Sequence, residues 1–463
     1  MRDRAWDAAY ALTLPALQLL PLAAAAPALL VLYALLGRDP SAGQAFERLL
    51  LASMPLALLS RVLHALLLAA LVRLASRSVR PGLHPAHGRV GWSVWLVHQL
   101  MGAARAQLFP LYASLATPHW LRLLGARIGR RVEASTVLML PGLATVEDFA
   151  FLADDTLLAP FEVSGGWLRL GRVSVGRRSF VGNSAVVGPG RGLPEDALVG
   201  VLSDAPPDAA PGSSWLGRPG FPMQRVAETG DTARTYDPPR RLVLARAAVE
   251  LCRLAPTVVA VLLGVLAAVA LQTLLLRSGP LASLPLAGVL MLLCGIAACA
   301  VTTAAKRLLI GRFRSGVQPL WSSFVWRNEL FDTFVEELAM PWLGSALVGT
   351  PFLNTWLRSL GARIGRGVWC ETYWLPETDL VELGDGCVLN RGVVVQTHLF
   401  HDRLMRMDGI RVGARATVGP HSIVLLGAAI GDAAVVGPSS LVMRGEAIPA
   451  DSRWLGNPVA DWN

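Results

Sequence analysis

The chain has 463 residues; 53% are apolar and only 16% are charged, with a mean hydropathy of +0.47. A soluble globular protein carries about 25% charged residues, so the shortfall points to membrane segments. The net charge of +9 comes mostly from Arg and has no aromatic-interleaved basic patch beside it, which argues against nucleic acid as a partner.

Residues 12–36 carry no charge and are long enough to cross a bilayer core of ~30 Å. The run is too long for a signal peptide and lacks a small-residue cleavage site. A second run, 49–72, contains Arg61 and His64. A charge at mid-membrane costs roughly 2.5–3.5 kcal/mol on insertion scales, which the apolar neighbours offset. The two runs form a predicted transmembrane hairpin over 1–80. A linker, 81–119, carries Trp92 and Trp95 on an amphipathic stretch that suits either a membrane interface or a buried packing helix. A first repeat region, 120–225, and a linker, 226–254, follow. The pattern then returns. Runs 255–276 and 281–305, joined by "RSGP", predict a second hairpin over 255–306. A linker with Trp321, Trp326 and Trp342 (307–355) leads to a second repeat region, 356–463. Arg73, Arg77, Arg80 and Arg89 follow the first hairpin. Arg240, Arg241, Arg246 and Arg253 precede the second, and Lys306, Arg307, Arg312 and Arg314 follow it. The positive-inside rule therefore puts the N-terminus and both long segments in the cytoplasm, with the bacterial inner membrane as the expected location. The five cysteines (Cys252, Cys294, Cys299, Cys370, Cys387) show no metal spacing and no even disulfide set, and read as reduced thiols.

The stretch "LGARIGR" opens both repeat regions, at 124–130 and 360–366, an offset of 236 (360 − 124). After the second copy, apolar residues recur every six positions: Val412, Val418, Val424, Ile430, Val436, Val442 and Ile448. Neither helix nor ordinary strand has that period. It is the signature of a hexapeptide parallel β-helix, one repeat per flat face. Gly413, Gly419, Gly431 and Gly437 follow four of these residues and are expected at corners, where unusual backbone angles favour glycine. The first copy shows the same phase at Val175, Val181, Val187, Leu193 and Val199, with Gly176, Gly182 and Gly188. Val146, Leu152 and Leu158 precede it, as Leu383, Leu389 and Val395 precede the second. The predicted fold is mixed: α-helical membrane hairpins plus two left-handed parallel β-helix coils, produced by duplication. Each coil is interrupted once, from Leu158 to Val175 in the first and from Val395 to Val412 in the second. The interruptions are equal in length, so the two loops align without a gap at an offset of 237 (395 − 158).

The second loop, "QTHLFHDRLMRMDGI", holds His398, His401 and Asp402. Phe161, Ser164 and Gly165 stand at the matching places in the first, while Asn390 matches Ala153 and His421 matches Ser184. The candidate catalytic groups therefore sit in the second coil and the first reads as non-catalytic. His398, His401 and Asp402 lack a fourth ligand, and no metal is expected.

"THLFHD", "VGARATVGPHSIVLLGAAIGDAAVVGPSSLV" and the closing "WLGNPV" resemble the hexapeptide-repeat acyltransferases, such as the galactoside and maltose acetyltransferases. The resemblance covers about 370–463. It implies His398, after Thr397, as general base, with His401 as the rival and supporting roles for Asp402, to orient the ring, and Asn390, to hold the acceptor. It also implies that Gly456, Asn457 and Pro458 lie near the pantetheine arm of a thioester donor. Hairpin plus coil in tandem, with a "THLF" loop, resembles the C-terminal half of the ε-poly-L-lysine synthetase-like membrane-bound nonribosomal peptide synthetases. In that family three hairpin–coil units follow an adenylation and a carrier domain. Two units are present here and no carrier Ser motif, so the resemblance implies an adenylation and carrier-protein module in trans, a chain that is a fragment of a larger synthetase, or another substrate. The donor is then a phosphopantetheinyl thioester on a carrier protein or coenzyme A, the acceptor an amine, and the assembly a homo- or hetero-oligomer supplying a further coil. An acetyl-CoA-dependent O- or N-acetyltransferase and a non-catalytic carrier-binding scaffold remain the alternatives.

Overall fold

The computed structural model describes residues 2–36, 42–158, 161–225 and 230–462. The chain divides into two compact units, Met1–Met223 with Val261–Val269, and Gln224–Ala260 with Ala270–Asn463.

Three helical stretches are long and apolar enough to cross a membrane by length and composition: Ala5–Leu35, Glu47–Ser76 and one inside Thr232–Leu309. The last contains the helix Ala255–Leu309, broken at Gly279, whose φ of 70° and ψ of 171° are not helical. Fifty-five residues would run about 80 Å if straight. The break, inside "RSGP", leaves a length on each side that suffices for a core of ~30 Å. In the first unit the helices Arg2–Leu36 and Ala42–Ser76 pack on each other.

Each repeat region is a three-sided stack of short parallel strands. In the second unit one face carries Arg363–Ile364, Val381–Leu383, Ile410–Val412, Ala429–Ile430 and Ala447–Ile448 in hydrogen-bonded order. Val412 pairs with Ile430 and Ile430 with Ile448, so one turn of the stack takes three hexapeptides, one on each face. The seven residues from Val412 to Ile448 are all 0–2% exposed, and burying each such side chain is worth roughly 1.5–3 kcal/mol. The first unit repeats the design from Val146 to Val199.

The glycines serve another purpose than the corners. Gly413, Gly419, Gly431 and Gly437 do not have positive φ. The left-handed positions lie two residues later, at Arg415 (58°), His421 (58°), Ala433 (54°) and Ser439 (53°). What the glycines allow is close stacking. A Cβ on Gly419 would lie 2.6 Å from the carbonyl carbon of Gly437 one turn on, and a Cβ on Gly431 2.4 Å from the nitrogen of Ala450.

Each loop is an antiparallel hairpin thrown out between two turns. It lengthens the register beyond three hexapeptides at that one step, where Val146 pairs with Val175 and Leu383 with Val412. In the first unit Glu162–Ser164 pairs with Trp167–Leu170, which pairs with Gly82–Pro85. In the second, His398–His401 pairs with Leu404–Met407, which pairs with Gly316–Pro319. The matching ladders preserve the offset of 237 for the hairpins (407 − 170) and give 234 for the strand and helix before them (316 − 82). The helices that follow, Arg89–Gln107 and Ser323–Phe334, each bury one side in their own unit. Trp321, just before the second of them, and Trp326 within it are each 3% exposed.

Candidate active site

The hairpin that carries His398 turns through Asp402 and Arg403, both at positive φ (48° and 61°), where the first unit has Gly165 and Gly166. Two residues in the left-handed region match the right-handed twist of a tight hairpin. Strand residues alternate in direction, so His398 and Phe400 share one face and Leu399 and His401 the other. The His398 and Phe400 rings lie edge to face, centroids 5.9 Å apart. The two histidines are therefore separated by geometry, although they are close in sequence.

On its face His398 meets Glu377, which sits at the head of the single 3₁₀ turn Thr378–Leu380. Nδ1 of His398 lies 3.0 Å from Oε1 and 2.9 Å from Oε2 of Glu377. The carboxylate is 0% exposed and accepts two further bonds, from Nδ2 of Asn328 to Oε1 at 2.9 Å and from Oγ1 of Thr397 to Oε2 at 2.6 Å. Thr397 Oγ1 also accepts the N–H of Glu377, at 3.2 Å. Burial alone would raise the Glu377 pKa. The charge of His398, its hydrogen bond, and those of Thr397 and Asn328 outweigh it and hold the carboxyl below its ordinary 4.5. An ionised carboxylate at Nδ1 fixes the tautomer: Nδ1 donates, and Nε2 carries the lone pair.

The structure puts the other sequence-derived candidates elsewhere. Asp402, in the turn of the hairpin, forms an ion pair with Arg225 and lies 3.7 Å from Nε2 of His401. The group hydrogen-bonded to Nδ1 of His398 is Glu377, where the sequence reading expects Asp402. Asn390 sits at a corner of the coil, where its Nδ2 donates to the carbonyl of Val418 at 2.8 Å. Gly456, Asn457 and Pro458 form the turn between Arg453–Gly456 and Val459–Asp461. Gly456 is at φ 121°, and its N–H donates to Oγ of Ser440 at 3.1 Å. Among the described residues, no three His, Cys, Asp or Glu side chains converge to hold a metal ion.

The first unit makes the contrast plain. At the place of His398 it has Phe161, edge to face with His98. At the place of Glu377 (offset 237) it has Leu140, and at that of Asn328 (offset 234) Val94; these are 4% and 2% exposed and belong to its core. A buried acid, its amide donor and its imidazole are thus replaced as a set by apolar groups. Glu377 and Asn328 were not singled out from the sequence. The signal was present, because the same alignment that contrasts His398 with Phe161 also contrasts Glu377 with Leu140.

No protein-family model matches the chain. Among curated proteins it is similar to Delta-poly-L-ornithine synthetase of Acinetobacter baumannii (strain AB307-0294), 33% identical over 420 residues, which is 89% of this chain and 31% of the relative. The chain therefore spans about a third of that protein's length. Among solved structures it is similar to a hexapeptide-repeat acetyltransferase of Vibrio cholerae (14% identity, 36% of this chain and 91% of that one, TM-score 0.21) and a maltose O-acetyltransferase of Clostridium difficile 630 (13%, 33% and 97%, 0.24). It is also similar to a galactoside acetyltransferase in complex with coenzyme A (16%, 26% and 72%, 0.21).

Proposed function

We propose that the protein is a membrane-bound acyltransferase whose second coil forms an amide bond, moving an aminoacyl group from a phosphopantetheinyl thioester to an amine at the cytoplasmic face. The carrying observation is His398, with Nδ1 held by the buried carboxylate of Glu377. The similarity to a relative named for poly-L-ornithine supports an aminoacyl donor and a growing chain as acceptor. An adenylation and carrier module would supply the thioester.

An aliphatic amine is mostly protonated near pH 7 and attacks only when neutral. In the proposed step the amine nitrogen bonds to the thioester carbonyl carbon while Nε2 of His398 takes its proton. The tetrahedral oxyanion is stabilised by backbone N–H groups of the coil. The C–S bond then breaks, and the departing thiolate takes the proton from the imidazolium. Glu377 offsets the positive charge on the ring between the two transfers. Asn390 is the candidate for holding the acceptor, and Gly456, Asn457 and Pro458 for lying along the pantetheine arm. Two coils do not close a threefold ring of the kind hexapeptide acyltransferases form, so a further coil completes the proposed assembly. The test is asymmetric. In lipid nanodiscs, with ornithyl-phosphopantetheine as donor and ornithine as acceptor, His398→Ala should lower turnover at least ~10²-fold, while Phe161→Ala leaves it nearly intact. Equal losses, or abolition by His401→Ala alone, would overturn the assignment.

A further inference from the structure

The turn that presents Glu377 is fastened two residues on to the end of the last long apolar helix. Asp379 pairs with Nζ of Lys306, the residue just beyond the run 281–305, and its Oδ2 also accepts the backbone N–H of Phe313 at 2.9 Å. Both side chains are withdrawn from solvent (4% and 10% exposed), and the Lys306 ammonium lies 5.2 Å from the centre of the Phe313 ring. Between the two acids, Oγ1 of Thr378 donates to the carbonyl of Leu360 at 2.6 Å, and the N–H of Leu380 closes the turn on the carbonyl of Glu377 at 2.9 Å. One rigid turn thus holds His398 at one end and the helix terminus at the other.

A buried ion pair is weak evidence for stability, because desolvation offsets most of its attraction. The first unit shows that this place in the fold does not need one: Val72 stands at the position of Lys306 (offset 234) and Gly142 at that of Asp379 (offset 237). Val72 is fully buried in that unit's core. The ionic clamp is present in the unit that has Glu377 and His398, and absent from the unit that has Leu140 and Phe161.

We infer that Lys306 and Asp379 are positioning residues for the active site, a clamp that ties the seat of Glu377, and through it the orientation of His398, to the end of the apolar helix. The inference rests on the reading of Glu377 and His398 as the working pair. Its consequence is that the reactivity of His398 depends on how that helix is seated.

The test needs no substrate. The full chain in nanodiscs of zwitterionic lipid is treated with diethylpyrocarbonate, which acylates neutral imidazole, and the rates at His398 and His401 are read by peptide mass spectrometry. Read at a pH high enough that the ring is neutral in every variant, Glu377→Gln sets the limit for an unassisted His398, slower than wild type by up to about tenfold because the ring loses the acceptor that makes its lone pair more basic. The neutral pair Lys306→Met/Asp379→Asn, which keeps an acceptor for Phe313, should slow His398 toward that limit and leave His401 unchanged. Lys306→Arg should keep most of the wild-type rate. A wild-type rate at His398 in the neutral pair, with Glu377→Gln slowed, overturns the clamp and leaves the working pair standing. A wild-type rate in Glu377→Gln overturns both. Parallel changes at His398 and His401 mean general loosening, and also overturn the clamp.

Discussion

Glu377→Gln keeps the shape of the side chain and removes its charge. The carboxylate accepts from Asn328 at 2.9 Å, from Thr397 at 2.6 Å and from His398 at 2.9–3.0 Å. A glutamine brings one carbonyl oxygen with two acceptor sites, and its NH₂ must face one of the three groups. Facing Asn328, it opposes two buried donors, a loss of about 1–3 kcal/mol. Facing Thr397, it meets a hydroxyl that can rotate, and the oxygen stays on His398. The bond to the ring then survives without its charge assistance, roughly half as strong. Facing His398, it imposes the other tautomer, and Nε2 carries a proton where the mechanism needs a lone pair. A bond weakened by about 1.4 kcal/mol gives a tenfold slower step, and a base in the wrong tautomer forfeits general-base catalysis altogether, ~10²–10⁴-fold. The expected loss therefore lies between about tenfold and 10⁴-fold, the upper part signalling the tautomer change. Single-turnover kinetics in nanodiscs with an aminoacyl-phosphopantetheine donor measures the rate, and ¹⁵N shifts of His398 report the tautomer. A rate within about twofold of wild type, with the tautomer unchanged, refutes the role given to the carboxylate.

Acid should reveal the same group. Glu377 titrates below its ordinary 4.5 in the folded protein, so its contribution is present above 4.5 and is lost as pH falls through the lower folded value. The thermal midpoint of wild type should approach that of Glu377→Gln as the pH is taken down from 5, and parallel curves would contradict this. Gly431→Ala, whose Cβ would meet Ala450 N at 2.4 Å, should lower stability more than Gly367→Ala, where the space is open and only φ of +66° is strained. Thermal unfolding should show about 1–3 kcal/mol for the first and about 1–2 kcal/mol for the second. Cys252, exposed, should react with iodoacetamide, while Cys370 and Cys387, buried and with thiols pushed up to about 11 and about 12, should not; mass spectrometry of labelled peptides decides. A reporter fused after Asn463 should be active only in the cytoplasm, and periplasmic activity would reverse the topology.

The coils were legible because their inward residues are a pure period of six, undiluted by tertiary context, and the two interruptions aligned because each is one hairpin of the same length. The glycines misled because close approach between turns and positive φ both select glycine, and sequence does not distinguish them. Only coordinates show that Arg415 and His421 take the corners. His398 was legible by its contrast with Phe161. Asp402 looked like its partner because it is near in sequence, yet a tight turn swings it to Arg225. The true partner, Glu377, precedes the whole strand Val381–Leu383 and becomes a neighbour of His398 only when the stack closes on itself. Asn328 comes from outside the coil, and its role depends on how a helix docks, which no periodicity records.

The wholesale exchange of Asn328, Glu377 and His398 for Val94, Leu140 and Phe161 has an evolutionary consequence. An apolar set and a polar set are each self-consistent, but a mixture is not. Placing leucine at 377 alone strands the Asn328 amide and the imidazole, and placing glutamate at 140 alone buries a carboxylate among hydrocarbon, where an unpaired charge is far costlier than an unpaired amide. The substitutions are therefore epistatic: the second and third swaps should each be less harmful than the first, and double-mutant cycles among these positions should depart from additivity by about 0.5–3 kcal/mol. Descendants of the ancestral duplication would have crossed that trough rarely, so a coil of this type is expected to carry the whole set or none of it.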